Sequence, residues 1–504
     1  MNQHLLTFNA VDFEYPDSVA SIFDDISLQM GSGWTGVVGA NGAGKTTFLK
    51  LASGHIQPTS GDLQRPAHVI YCEQRTDTMP ADLPVLLETP GKDSNRIIDL
   101  LSIQREWPLR WNTLSHGERK RAQIGTALWK EPDLLAIDEP TNHVDAPARD
   151  IILESLQSFR GVGLLVSHDR KLLDTLCHQC VFIDPPHIII RPGGYTQGME
   201  QESSEQATAQ KDRNEQKRVF KKLKREANQR RKLADKAGKL RSKRGIRRKD
   251  HDAKAKVDQA RVTGKDATGG RLLRQIEKRV DRAEQALNAT RVKKHHNLGI
   301  WLPGSVSHTD YLLTMKPGQI QMGEKRLTFP ELSVGSTDRI GITGVNGAGK
   351  SSLIKEITEH LDLPSQHLTY IPQEIDVEAT MEIYSEVQNL PHDELGHVMT
   401  IISRLGSRPE RVLDTSLPSP GETRKLLLAL GMTRKPHLII MDEPTNHMDL
   451  PSIDCLESAL SECPCALLLV SHDEVFLNKL AHIKWDIRED KSRKKHFSLS
   501  ISGA

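Results

Sequence analysis

The chain has 504 residues, 37% hydrophobic, 27% charged and only 4% aromatic, which is enough for two or three domains with sizeable cores. Its longest apolar runs, such as Leu438–Met441 and Ala466–Val470, are far too short to span a bilayer, and Met1-Asn2-Gln3-His4 offers no basic stretch leading into an apolar one, so no secretion signal is expected. The net charge of +2 conceals its distribution: residues 211–300 hold 31 Lys and Arg against 11 Asp and Glu, a net of +20, and the remainder sums to −18.

These bounds lead to the expectation of a soluble, cytoplasmic protein. Its six cysteines include Cys177-x-x-Cys180 and Cys463-x-Cys465, but neither has a matching second pair or flanking histidines. Reduced thiols are expected rather than a metal site.

The first strong signal in chain order is a G-x-x-x-x-G-K-[ST] loop, Gly39-Ala40-Asn41-Gly42-Ala43-Gly44-Lys45-Thr46, followed by Thr47. It follows a strand-like run, Gly36-Val37-Val38, and precedes a helix-prone segment, Thr47–Leu51, the setting that makes the motif credible. Its glycines let successive backbone N–H groups turn inward around phosphate oxygens at a helix N-terminus. Lys45 is placed to reach the β- and γ-phosphates of ATP, and the Thr46 hydroxyl to bind Mg²⁺.

Next comes Ser115-His116-Gly117-Glu118, ahead of a helical run over Arg119–Leu128. A hydroxyl and backbone N–H groups at a helix start make a second phosphate-binding device. Then the apolar strand Leu134–Ile137 ends in Asp138 and Glu139. A buried strand of a parallel sheet delivers such a pair to its C-terminal edge, where ligands of these sheets bind. Asp138 suits a Mg²⁺-water role and Glu139 the orientation of an attacking water. Paired acids can also merely cap the next helix, but a phosphate loop upstream favours the catalytic reading.

The whole arrangement then recurs. Gly344, Asn346, Gly347, Gly349, Lys350, Ser351 and Ser352 repeat the first loop at an offset of 305 residues. Asp442 and Glu443 repeat the acidic pair 304 later, and Val470-Ser471-His472-Asp473 repeats Val166-Ser167-His168-Asp169 at the same interval. Ser419, Gly421 and Glu422 stand where Ser115, Gly117 and Glu118 do, ahead of a helical run over Thr423–Leu430. A near-constant offset over separated motifs means a duplicated domain of about 200 residues, too long for a solenoid repeat. The expected class is α/β, with domains at 1–200, 201–300 and 301–504.

Between the copies lies the cationic segment. Phe220, Leu223, Ala227, Ala234 and Ala237 fall at helical spacing, and Leu273, Ile276, Val280, Ala283 and Leu287 form a heptad seam. An antiparallel helical hairpin is expected, each helix some 35–40 residues and roughly 50–60 Å long. Gly264, Gly269 and Gly270 read as breakers that mark a tip over 245–270. Charged helices are often simply well solvated, but a net of +20 favours a polyanion. With few aromatics to stack on bases, backbone and shape recognition of structured RNA fits best.

Taken together the motifs resemble those of ATP-binding cassette (ABC) ATPases, over roughly residues 1–195 and 310–490. To the loops, signatures and acids the resemblance adds Gln74 and Gln373 as nucleotide and Mg²⁺ contacts, Asp145 and Asp449, and the switch histidines His168 and His472. It implies cassettes packed head to tail. One ATP site then combines Lys45, Thr46, Gln74, Asp138, Glu139 and His168 with Ser419, Gly421 and Glu422. The other combines Lys350, Ser351, Gln373, Asp442, Glu443 and His472 with Ser115, Gly117 and Glu118. Tyr15 matches the residue that stacks on adenine, whereas the second copy has Gln319–Met322 there, and Pro418 replaces Leu114 before the second signature. Unequal sites are expected, both of which hydrolyse ATP.

Two complete cassettes joined by a long charged linker resemble the ABC-F family more closely. Members bind the ribosome at the tRNA exit site in their ATP form, their linker directed at rRNA and tRNA. They tune translation or protect the ribosome from antibiotics, and the short chain is nearer the resistance type. A monomer with intramolecular pairing follows. The alternatives are a motor subunit of an ABC transporter with separate membrane subunits, which leaves the linker unexplained, and a DNA-maintenance ATPase, whose helices would interrupt one cassette.

Overall fold

In a computed structural model the chain divides into two units, Met1–Gly198 with Asn297–Ala504, and Met199–His296. The described residues are 5–16, 21–142, 144–240, 265–289, 304–405, 419–446, 448–490 and 495–503, with single positions at 252, 255, 257 and 407. Pro418 and most of the expected tip at 245–270 lie outside them.

Each half of the first unit is built on a mostly parallel sheet. In the first half its order is Val69–Cys72, Leu134–Asp138, Val162–Val166, Gly33–Gly39, Cys177–Asp184 and His187–Pro192, the last pair antiparallel. The strands Leu134–Asp138 and Val162–Val166 are buried at every position, as sheets covered on both faces require. A separate antiparallel sheet joins Phe23–Met30, Leu6–Phe13 and Ser60–Gln64. Phe8, Phe23 and Phe48 close the core between the two sheets, with Phe8 stacked on Phe48 at 5.0 Å.

The second half repeats the central sheet, but among the described residues its separate antiparallel sheet has only two strands, Tyr311–Met315 and Leu332–Gly335. Its hairpin Gly318–Met322/Lys325–Phe329 is welded to the main sheet through parallel pairing of Lys325–Phe329 with His496–Gly503. The equivalent central strands are Arg339–Gly344, Ala466–Val470 and Leu438–Asp442. Register brings Asp138 opposite Val166 and Asp442 opposite Val470, so both acidic pairs emerge at the C-terminal sheet edge.

In its described residues the second unit holds two long paired helices. Tyr195–Leu240 runs 46 residues, longer than the seam alone suggests, and about 69 Å at 1.5 Å per residue. Lys265–Ala289 returns for 25 residues. Leu223, Ile276 and Ala283 are buried, Leu273, Val280 and Leu287 half-buried, and Arg231 bonds Glu277 across the pair at 2.7 Å. Gly269 and Gly270 do not end a helix as expected. They sit inside Lys265–Ala289, where the helix-forming residues that follow outweigh a cost of about 1 kcal/mol per glycine.

Candidate functional sites: two phosphate loops at the sheet edges

Each phosphate loop leads into a helix whose N-cap is a glycine in the left-handed region, Gly44 at φ 97° and Gly349 at φ 99°. A Cβ at Gly44 would stand 2.8 Å from Ile22, and one at Gly349 2.5 Å from the Met322 sulfur, so conformation and space both require glycine. Lys45 Nζ donates to the carbonyls of Gly39 (2.9 Å) and Ala40 (3.1 Å), folding back over the loop. Lys350 does the same with Gly344 (2.8 Å) and Val345 (3.4 Å), and also lies 3.1 Å from His472 Nε2. The hydroxyls of Thr46 and Ser351 each donate to an Asp oxygen at 2.7 Å, on Asp138 and Asp442 respectively. Thr47 hydrogen-bonds the Tyr15 hydroxyl at 3.0 Å, while Ser352 directly follows Ser351 in the second helix.

Glu139 and Glu443 hold the left-handed region without being glycine, at φ 47° and 51°. Such strain persists only where the surroundings over-determine it. Here each is fixed by its own N–H donating 2.9 Å to Val166 or Val470, and by its Oε2 accepting from the backbone of His168 (3.3 Å) or His472 (3.2 Å). The other oxygen, Oε1, is buried with no hydrogen bond, although His168 Nε2 stands 3.1 Å and His472 Nε2 3.4 Å away. An acceptor kept in this way is suited to a water.

A cavity of about 410 Å³ covers the first loop, lined by Tyr15, Asn41, Gly42, Gln74 and the reactive groups already described. A second, of about 310 Å³, lies between the halves against Asn346, Gly347, Gln373, Glu443 and His472. Neither cavity is lined by a signature serine. Ser115 and Ser419 are instead engaged in capping boxes, each donating its hydroxyl to its own Glu118 (2.8 Å) or Glu422 (2.7 Å). Gly117 packs on Val144 and Ala148 of its own half, and Gly421 lies in the first turn after Ser419.

The halves contact each other at these sites. Asn41 N–H donates to Asp449 Oδ2 at 2.6 Å, Arg149 donates to the His472 carbonyl at 3.1 Å, and Arg170 meets Glu457 at 2.5 Å and Asp454 at 2.9 Å.

The ABC transporter family model matches residues 23–142 and again 327–446. Along its whole length the chain is similar to the ribosome protection protein VmlR of Bacillus subtilis (strain 168), 27% identical over 96% of this chain and 86% of that one. It is also similar to the energy-dependent translational throttle protein EttA of Mycobacterium tuberculosis, 26% identical over 98% and 93%. The chain therefore carries two ABC ATPase cassettes, the build of its full-length ABC-F relatives. Among solved structures the twin-cassette RNase-L inhibitor shares the fold, with a TM-score of 0.61 at 17% identity over 98% of this chain and 90% of that one. No described helix is long and apolar enough to cross a membrane.

As a twin-cassette ABC ATPase the chain binds ATP, and the electrostatics of its sites suit hydrolysis. Burial pushes Glu139 and Glu443 up to about 7, close to neutral pH, where a carboxyl group is suited to exchange a proton. Burial, and next the lysine of the same loop, lowers His168 and His472 to about 3, so these imidazoles stay neutral and their contacts with the glutamates are not ion pairs. Burial also lowers Lys45 and Lys350, opposed by the charges of Glu139 and Glu443.

Two functional positions escaped motif reading. Lys120 is fully buried and donates to the carbonyls of Glu73 (2.6 Å) and Asp138 (3.2 Å), tying the segment before Gln74 to the acidic strand. Arg424, 304 residues later, bonds the carbonyls of Gln373 and Asn446. The available signal was a basic residue five positions after each signature serine.

Proposed function

We propose that this chain is a cytoplasmic ATPase that docks on the ribosome in its ATP-bound form, and that its linker contacts rRNA and tRNA to modulate translation or protect the ribosome from antibiotics. The observation that carries this is the segment of net charge +20 built as a separate helical unit between two ATPase halves. A transporter motor has no use for such a unit, whereas a polyanionic partner does. Relatives whose names denote ribosome protection and translational throttling support the same reading.

In this proposal each ATP is held by one phosphate loop and completed by the signature of the other half: Ser419, Gly421 and Glu422 for the first site, Ser115, Gly117 and Glu118 for the second. The hydroxyl–carboxylate pairs Thr46–Asp138 and Ser351–Asp442 present hard oxygens side by side, which fits Mg²⁺ with Gln74 or Gln373 beside it. When bound, Mg²⁺ neutralises phosphate charge. Lys45 and Lys350 turn from loop carbonyls to phosphate oxygens. Glu139 and Glu443 orient a water and accept its proton, while His168 and His472 hold those glutamates in place. Tyr15 faces adenine at the first site and Met322 at the second, so the two bind unequally. The protein works as a monomer.

The test is Glu139→Gln combined with Glu443→Gln. With ATP the variant should bind without hydrolysing, co-sediment with ribosomes and slow translation, and RNase but not DNase should release it. A variant found free of ribosomes in saturating ATP refutes the proposal. Sedimentation with membranes instead favours the transporter motor.

A further inference from the structure

Arg149 belongs to the first half, on the helix Ala146–Gln157, and lines a cavity shared by Glu139 and His168 of its own half and by Asn346, Gln373, Glu443 and His472 of the other, but its hydrogen bond across the interface goes to the second half, at His472. It is only 7% exposed. Its Nη1 donates to the His472 carbonyl at 3.1 Å and lies 3.5 Å from Asp169 Oδ2. Its Nε and Nη2 have no hydrogen-bond partner among the described residues. Leaving two donors of a buried cation unpaired is costly unless a ligand completes them. A structural staple to His472 needs Nη1 alone and does not explain the other two.

The position is not duplicated. The residue 304 later is Ile453, 1% exposed and apolar. An aspartate of the opposite half stands near each loop lysine, Asp449 by Lys45 and Asp145 by Lys350, so the arginine and not the carboxylate distinguishes the two sites. We propose that Arg149 is a catalytic residue of the second ATP site, acting from the opposite half by donating its free N–H groups to the terminal phosphate. The inference rests on the reading that the second site hydrolyses ATP.

In that step the water oxygen bonds to the γ-phosphorus as the bond to the β,γ-bridging oxygen breaks. The electron pair leaves with ADP, Glu443 takes the water proton, and the products are ADP and phosphate. Charge on the γ-phosphate oxygens and the bridging oxygen is where a planar fork of donors acts, as an arginine supplied in trans does in other phosphoryl-transfer enzymes. The second site thereby gains a charge stabiliser that the first lacks.

The experiment isolates one site at a time in the full chain. In a Glu139→Gln background only the second site turns over, and in a Glu443→Gln background only the first. Adding Arg149→Gln should lower kcat by at least about 100-fold in the first background, with KM for ATP changed less than about threefold. First-site turnover in the second background should stay within about twofold, which also shows that the variant is folded. Arg149→Lys, which keeps the charge without the fork, should recover little. Guanidinium ion added to Arg149→Ala should restore part of kcat in the Glu139→Gln background only. Equal losses in both backgrounds, or none in either, would falsify the proposal. A Glu139→Gln parent with no turnover overturns the reading of the second site, and the proposal with it.

Discussion

Asp449 of the second half accepts a 2.6 Å hydrogen bond from the Asn41 amide in the phosphate loop of the first, and with Oδ1 it also caps its own helix at Ser452 N–H, 2.9 Å away. One carboxylate thus serves the fold of one half and the ligand loop of the other. Burial pushes it up, but these hydrogen bonds outweigh that and hold it below the usual carboxylate range. Asp449→Ala should cost about 1 kcal/mol from the lost cap and weaken ATP binding at the first site more than at the second. Urea unfolding and nucleotide titration of the single-site backgrounds measure the two effects separately.

With Glu139 and Glu443 raised to about 7, only the deprotonated form accepts a proton from water. Turnover should rise about tenfold per pH unit below 7 and level above it. The histidines remain neutral throughout and contribute no limb. Stability runs the opposite way: an acid raised on folding binds its proton more tightly when folded, so these two groups withdraw stability as pH climbs from about 4.5 towards 7. A flat pH–rate profile from pH 5.5 to 7.5 contradicts the assignment of either glutamate.

Lys120 and Arg424 stand at matched positions and both bond backbone carbonyls, those of Glu73 and Asp138 for the lysine and those of Gln373 and Asn446 for the arginine. Lys120→Arg should therefore retain stability to within about 1 kcal/mol, whereas Lys120→Met strands the carbonyls of Glu73 and Asp138 and should cost about 3 kcal/mol. Thermal melting ranks the pair, and equal losses would mean that the bonds to those carbonyls are incidental.

In the helical unit, magnitudes separate two kinds of contact. Arg231–Glu277 is an exposed ion pair, so Glu277→Ala should change stability by less than about 0.5 kcal/mol. Ile276 is 3% exposed in the seam, and Ile276→Ala should cost about 2–4 kcal/mol. Hydrogen exchange along the two helices reads this locally; protection unchanged in the Ile276 variant would mean that the seam does not hold the pair together.

The legible parts of this molecule were those written locally. Phosphate loops, wholly apolar strands ending in acid pairs and a seam at heptad spacing each carry their structural cause within a few residues. The backbone strain at Glu139 and Glu443 is imposed by distant partners, Val166 and Val470, and no feature of an Asp-Glu dipeptide announces it. Arg149 depends on how two halves dock, so nothing next to it in sequence marks its target. Gly269 and Gly270 misled because a breaker's cost is local while a helix is held by its whole length. The start of the long helix at Tyr195 was missed because a mixed-charge stretch without an apolar stripe looks like linker.

That start has a mechanical consequence. The Tyr195 hydroxyl donates at 2.7 Å to Asp454, which also receives Arg170 from the first half. The first turn of a 46-residue helix is therefore tied to the contact between the two ATP-binding halves. A substitution that removes the Asp454 carboxylate therefore loosens the helix start and the contact between the halves together, because one side chain serves both.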